Sequence, residues 1–191
     1  MSSNDRDDYN PAQHARLLAV ARQSVEHGLI FHRELEIAAE ETDPELLEKR
    51  ASFVTLLRNH ELRGCIGTLE SYQPLIQDVA HNAYAAAFSD PRFPPVERSE
   101  LDNLTIHISI LTPPQPMAVV SEQDLLTQLV PNEDGLILQD GRRRSTFLPS
   151  VWESLPTPRE FVGHLKLKAG LPSNHWSDTI RFQRYRTIVI E

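Results

Sequence analysis

The chain has 191 residues, 40% hydrophobic and 24% charged, which suits one domain of ordinary size or two small lobes and excludes a repeat array, a disulfide scaffold or a disordered tail. Nineteen basic against 27 acidic residues leave a net charge of −8, which argues against a general nucleic-acid coat because phosphate binding needs a positive surface. No apolar run approaches the roughly 20 residues of a membrane span, the first eight residues lack the pattern of a signal peptide, and one cysteine fits a reducing compartment, so a cytoplasmic protein off the membrane is expected.

Asn10 before Pro11 predicts a helix start, since Asn caps free amides and Pro needs no donor at the first helical position. Leu17, Leu18, Ala21 and Val25 then share one face, and Gly28 offers a stop. Asp43-Pro44 predicts a short helix through Arg50 by the same capping logic. Ala51–Leu57 and Leu62–Leu69 are β-rich runs separated by the polar stretch Arg58–Glu61, which predicts a hairpin of paired antiparallel strands. Leu75–Phe88 is alanine-rich, with apolar spacing that marks a closely packed helix. The three prolines of Ser89–Val96 cannot continue it and fix a stiff, extended loop.

Thr105–Leu111 alternates Ile106, Ile108 and Ile110 with His107 and Ser109, the pattern of a half-buried strand. Pro113, Pro114 and Pro116 end it and suggest a division into two lobes. Ser121 with Asp124 suggests a capped helix through Val130. Asp140-Gly141 between Gly135–Gln139 and Arg143–Leu148 is a strong hairpin signal. Thr157-Pro158-Arg159-Glu160 predicts a helix that carries Phe161, Val162, Leu165 and Leu167 inward and stops at Gly170. Thr179–Ile190 reads as one terminal strand. The expected class is α+β, with mainly antiparallel sheet and packed helices.

Two segments stand out chemically. Arg63-Gly64-Cys65-Ile66-Gly67 places two of only seven glycines inside a strand, where they weaken it and mark a bulge or a close backbone approach. Cys65 is either a small buried apolar group or a thiol tuned by the cation of Arg63; regular alternation would point adjacent side chains to opposite faces, and a bulge at Gly64 would change that. The rigid Asp90-Pro91-Arg92-Phe93-Pro94-Pro95-Val96 loop is the second. Charge adds a third feature: residues 141–191 hold nine basic and four acidic side chains, Arg142, Arg143 and Arg144 among them, a local positive region suited to solvated faces or to steering a partner.

Phe53-Val54-Thr55-Leu56, Leu62-Arg63-Gly64-Cys65-Ile66-Gly67, Asp90–Val96, Ile108-Ser109-Ile110-Leu111, and Lys168-Ala169-Gly170-Leu171 with Trp176 together resemble the AMMECR family, also called AmmeMemoRadiSam system protein A. The resemblance covers about residues 12–190, read as one AMMECR-type domain with two sub-lobes, after a flexible segment over residues 1–11. It implies a two-lobed α+β fold around a cleft, association with a Memo-like protein and a radical SAM protein, and no assigned reaction. Residue by residue it nominates Arg63, Gly64, Cys65, Gly67, Asp90, Arg92, Phe93 and Lys168. Relatives tend to carry an acidic residue at the position of His107, so this chain would hold a titratable base there. With one thiolate, neither an iron–sulfur cluster nor a cysteine-rich metal site has its ligands, and no cofactor is expected.

Three functional expectations follow. As an enzyme, the protein would use Cys65 as nucleophile, with Asp90, His107 or His81 as base or orienter and Arg63 or Arg92 holding a small anionic substrate. As a binding module, Arg63, Arg92 and the glycine-exposed amides would recognise a carboxylate or phosphate while Cys65 only packs. As an accessory component, it would receive a segment of the Memo-like or radical SAM partner.

Overall fold

The computed structural model describes residues 9–39 and 42–191, and within these the chain forms two compact units. The first holds the residues up to Thr112 together with Ile188–Glu191; the second is Pro113–Thr187. Most of the expected flexible segment, residues 1–8, lies outside the described residues. Its last two positions instead start α1 (Pro11–Phe31), where the Asn10 side chain accepts from the Ala12 and Gln13 amides and Gln13 reaches back to the Asn10 N–H.

In the first unit, β1 (Ser52–Arg58), β2 (Glu61–Gly67), β3 (Leu104–Leu111) and β8 (Thr187–Ile190) form a sheet in the order β2-β1-β3-β8, with β1 antiparallel to both β2 and β3. Asn59 and His60, at φ 52° and 67°, make the two-residue mirror-image turn that matches strand twist in a hairpin. One face of the sheet carries Val54, Leu56, Ile106, Ile108 and Ile110, all buried against α1 and α2 (Leu75–Phe88). The other carries Phe53, Thr55, Leu57, His107 and Ser109, all only half-buried.

Gly28 does not stop α1. It lies inside the helix because a Cβ there would come 2.4 Å from the Phe88 ring and 2.8 Å from that of Tyr84; the helix ends at His32, left-handed at φ 55°. After Asp43 only a short 3-10 turn forms, Pro44–Leu47, because Lys49 leaves to bridge Pro74. A second 3-10 segment, Arg98–Asn103, precedes β3.

In the second unit, β4 (Gln115–Pro116), β5 (Gly135–Asp140), β6 (Arg143–Phe147) and β7 (Arg181–Tyr185) form an antiparallel sheet in the order β4-β7-β5-β6. It packs with α3 (Glu122–Gln128) and α4 (Pro158–Lys168) around Leu136, Leu138, Phe161, Leu165 and Phe182. The Trp152 ring stacks on Phe161 at 3.9 Å while its N–H donates to the Asp134 carbonyl. Two expectations are corrected here. Leu167 is 53% exposed, and Lys166 takes the inward position, its ammonium donating to Glu122 at 2.8 Å. The terminal run is two strands, β7 and β8, in different sheets.

Candidate functional site

β2 is an outermost strand, so one side of its backbone has no neighbouring strand. From the turn, Arg58 faces Glu61 and Leu57 faces Leu62; the register then slips, Leu56 facing Gly64 and Thr55 facing Cys65, which leaves Arg63 as the extra residue of a bulge. Without the slip Cys65 would oppose Val54 and share its buried face. With it, Gly64 turns toward α2, where a Cβ would sit 2.1 Å from the Ala86 carbonyl oxygen, and Cys65 turns to the half-buried face. Gly67 has a different reason: the Phe53 ring lies over it, 2.2 Å from where a Cβ would stand.

Cys65, Thr55 and His107 therefore form a row across β2, β1 and β3. The Cys65 N–H donates to Asp90 Oδ2 at 2.9 Å and its carbonyl accepts from Arg92 Nη2 at 3.3 Å, so both groups point away from β1. A pair of this kind brings side chains close, and the Thr55 hydroxyl donates to Cys65 Sγ at 3.2 Å. His107 is one strand further, with Nε2 3.6 Å from Glu191. Two strand spacings, ~10 Å, separate the backbones of Cys65 and His107, too far for a direct thiol–imidazole pair. His81 stands on α2, which packs against the opposite face, and is held by Glu34.

The proline loop seals the β2 edge with side chains. Asp90, 5% exposed, accepts from the Cys65 amide, from the Arg92 amide at 3.0 Å, and from Arg92 Nε at 3.0 Å and Nη2 at 2.7 Å. The Arg92 hydrogen bonds, then the backbone amides, outweigh burial and hold the Asp90 carboxyl well below the usual carboxylate range. Such a group is a poor proton acceptor at neutral pH and a good anchor for the Cys65 backbone.

Arg63 meets Glu100 in a two-pronged pair, Nε to Oε1 at 2.8 Å and Nη2 to Oε2 at 2.9 Å, and Glu100 also takes Arg58 and the Glu97 amide. The Phe93 ring stands between both guanidiniums, 6.0 Å from Arg63 Cζ and 5.5 Å from Arg92 Cζ. Of the two guanidiniums beside Phe93, Arg92, with a side chain 54% exposed, keeps open access to solvent, whereas that of Arg63 is 11% exposed. Lys168 belongs to the second unit, where its ammonium donates to the Thr146 carbonyl above the Phe147 ring. Among the described residues no group of three or more His, Cys, Asp or Glu side chains has the arrangement of a metal site, and no helix is long and apolar enough to cross a membrane.

Thr55, Glu100 and Arg58 are the participants that sequence reasoning left unassigned. The Glu100 carboxyl is pushed down to about 2, first by the Arg63 hydrogen bonds and against the opposing effect of burial. Its folded value thus lies below the unfolded value near ~4.3, so the stability it supplies is full above that pH and is lost as pH falls toward 2. Urea unfolding followed from pH 7 to pH 2 should show a steeper acid loss for the native protein than for Glu100→Gln; equal slopes would refute the assignment.

Residues 18–190 match the AMMECR1 family profile. A protein of Thermotoga maritima is 42% identical over 153 residues, covering 78% of this chain and 83% of its own. One of Methanothermobacter thermautotrophicus is 37% identical over 167 residues, covering 85% and 84%. The crystal structure of the uncharacterized protein PH0010 from Pyrococcus horikoshii is similar at a TM-score of 0.78 and 33% identity, covering 91% of this chain and 88% of that one. With the family profile spanning nearly all of the described sequence and relatives aligned over most of both chains, the chain belongs to the AMMECR1 family.

Proposed function

We propose that the protein is a modifying component that works through a thiol on the half-buried face of its first sheet. As a thiolate, Cys65 adds to a carbonyl carbon of a small anionic substrate, the C–S bond forming as the carbonyl π pair moves to oxygen; Arg92 receives the anionic end, and Asp90 and Arg63 act as positioning residues. The Thr55 hydroxyl, donating to Sγ, stabilises the thiolate, and His107, opposite Thr55 on the next strand, is the base of the row. The row Cys65–Thr55–His107, brought to one face by the β2 bulge, carries this reading. The pairing of Arg63 with Glu100 weighs against the alternative of a module that merely clamps an anion between two free guanidiniums. The association expected from the family resemblance belongs to the same reading: a Memo-like and a radical SAM protein act beside this chain and supply any radical chemistry.

Iodoacetamide labelling followed by mass spectrometry tests it, because the chain has a single cysteine. At pH 7.5, Cys65 in the native protein should react ~10-fold faster than in the urea-unfolded chain, the excess expected of an activated thiol. Thr55→Val and His107→Gln should reduce that excess. A native rate at or below the unfolded rate would refute a reactive thiol.

A further inference from the structure

The second unit holds a cavity of about 680 Å³ between α3 and α4 that shares no residue with the Cys65 site. Its size lies within the range of small-molecule sites, and its apolar lining comes from Leu126, Gly163 and Leu167. Gly163 is mid-helix, where glycine weakens a helix relative to alanine. Internal packing does not require it: a Cβ there would meet only Ser173 Cβ, at an ordinary 3.8 Å. By contrast Gly28, Gly64, Gly67 and Gly135 would each bring a Cβ within 2.5 Å of another atom. A glycine that internal packing does not require, on the wall of a cavity, leaves the α4 backbone open to approach from outside.

Charge narrows what approaches. Glu122 is paired with the buried ammonium of Lys166 at 2.8 Å, and Glu160 keeps its charge but is directed to the helix cap, accepting from the Thr157 hydroxyl at 2.6 Å. Arg159 lies four residues before Gly163, as Leu167 lies four after it, so cation, gap and apolar side chain stand in one row along α4. Among the described residues the side chains of Arg159 and His164 have no hydrogen-bond or ion-pair partner, and both residues line the cavity.

We propose that this cavity binds a small amphiphilic carboxylate. Its apolar body lies on Leu126 and Leu167 and against the Gly163 backbone, and its carboxylate is held by Arg159 with His164 beside it.

Decanoate titrated into the full-length protein by calorimetry is the probe, with decylamine as the same chain bearing the opposite charge. Decanoate should bind and decylamine should bind at least about tenfold more weakly. Arg159→Ala should weaken decanoate about tenfold, the scale of one charge-assisted hydrogen bond. Gly163→Ala should weaken it similarly while raising the melting temperature, a combination that a purely structural glycine does not give. Equal binding of the two probes, decanoate affinity unchanged in both variants, or a lowered melting temperature in Gly163→Ala would overturn the proposal.

Discussion

Asp78→Ala is expected to lower the stability of the protein by about 3 kcal/mol or more, because it leaves more than one buried donor without an acceptor. The Asp78 carboxylate is completely buried at the start of α2, with no cation against it among the described residues. Its charge is spread over donors instead: the Ser52 amide at 2.8 Å, the Ser52 hydroxyl at 2.7 Å, the Asn82 amide at 2.9 Å, the Thr68 hydroxyl at 3.0 Å and the Gln73 amide at 3.1 Å. These donors come from the beginning of β1, the exit of β2 and α2 itself, so one carboxylate ties the ends of the hairpin to the helix. Alanine would leave several of them buried and unpaired, at about 1–3 kcal/mol each before relaxation. Asn should fail too, because its amide would turn a donor toward other donors. Equilibrium urea unfolding measures this, and a loss below about 1 kcal/mol in both variants would mean that the cluster is not what joins these elements.

Gly64→Ala should cost about 3 kcal/mol or more, the upper end of overpacking. The added carbon would sit 2.1 Å from the Ala86 carbonyl oxygen, and backbone cannot swing aside as a flexible side chain can. α2 would have to lift from β2, or the bulge would have to unwind and carry Cys65 toward the core. The same measurement decides it, and the contrast is internal: the identical substitution at Gly163, where the added carbon would make only an ordinary contact with Ser173 Cβ, should raise stability by about 0.5–1 kcal/mol. A neutral Gly64→Ala would mean that strand and helix pack more loosely than the geometry states.

The sequence made α2 and both hairpins legible because their signals are local. Alanine spacing, the polar stretch Arg58–Glu61 and Asp140-Gly141 each act within a few residues. Leu167 stands outside where the pattern places it inside, and Lys166 takes its place, because periodicity rates a lysine polar whereas its inward position depends on Glu122, 44 residues earlier. The split between β7 and β8 has no breaker at Tyr185-Arg186; only pairing with different sheets reveals it.

For the candidate site, composition and glycine placement pointed to Cys65 and to the Asp90–Val96 loop. The face on which the thiol stands depends on one slipped residue. Counting back from the turn without a bulge assigns Cys65 to the helix side, and nothing in Leu62-Arg63-Gly64 alone states that Arg63 is the extra residue. The Asp90 and Arg92 contacts to the Cys65 backbone, and the Arg63 pairing with Glu100, join positions 25 to 37 residues apart, beyond the reach of any local pattern.

The first unit is discontinuous, its sheet finished by residues that follow the whole of the second. A nascent chain paused anywhere within Pro113–Thr187 has made β1, β2 and β3 but cannot yet supply the whole strand that borders β3, so that border stays open to solvent for as long as the intervening 75 residues take to emerge. Synthesis order and assembly order therefore differ: the second unit has all of its chain before the first does, and the earliest-made part of the protein is the last to be completed.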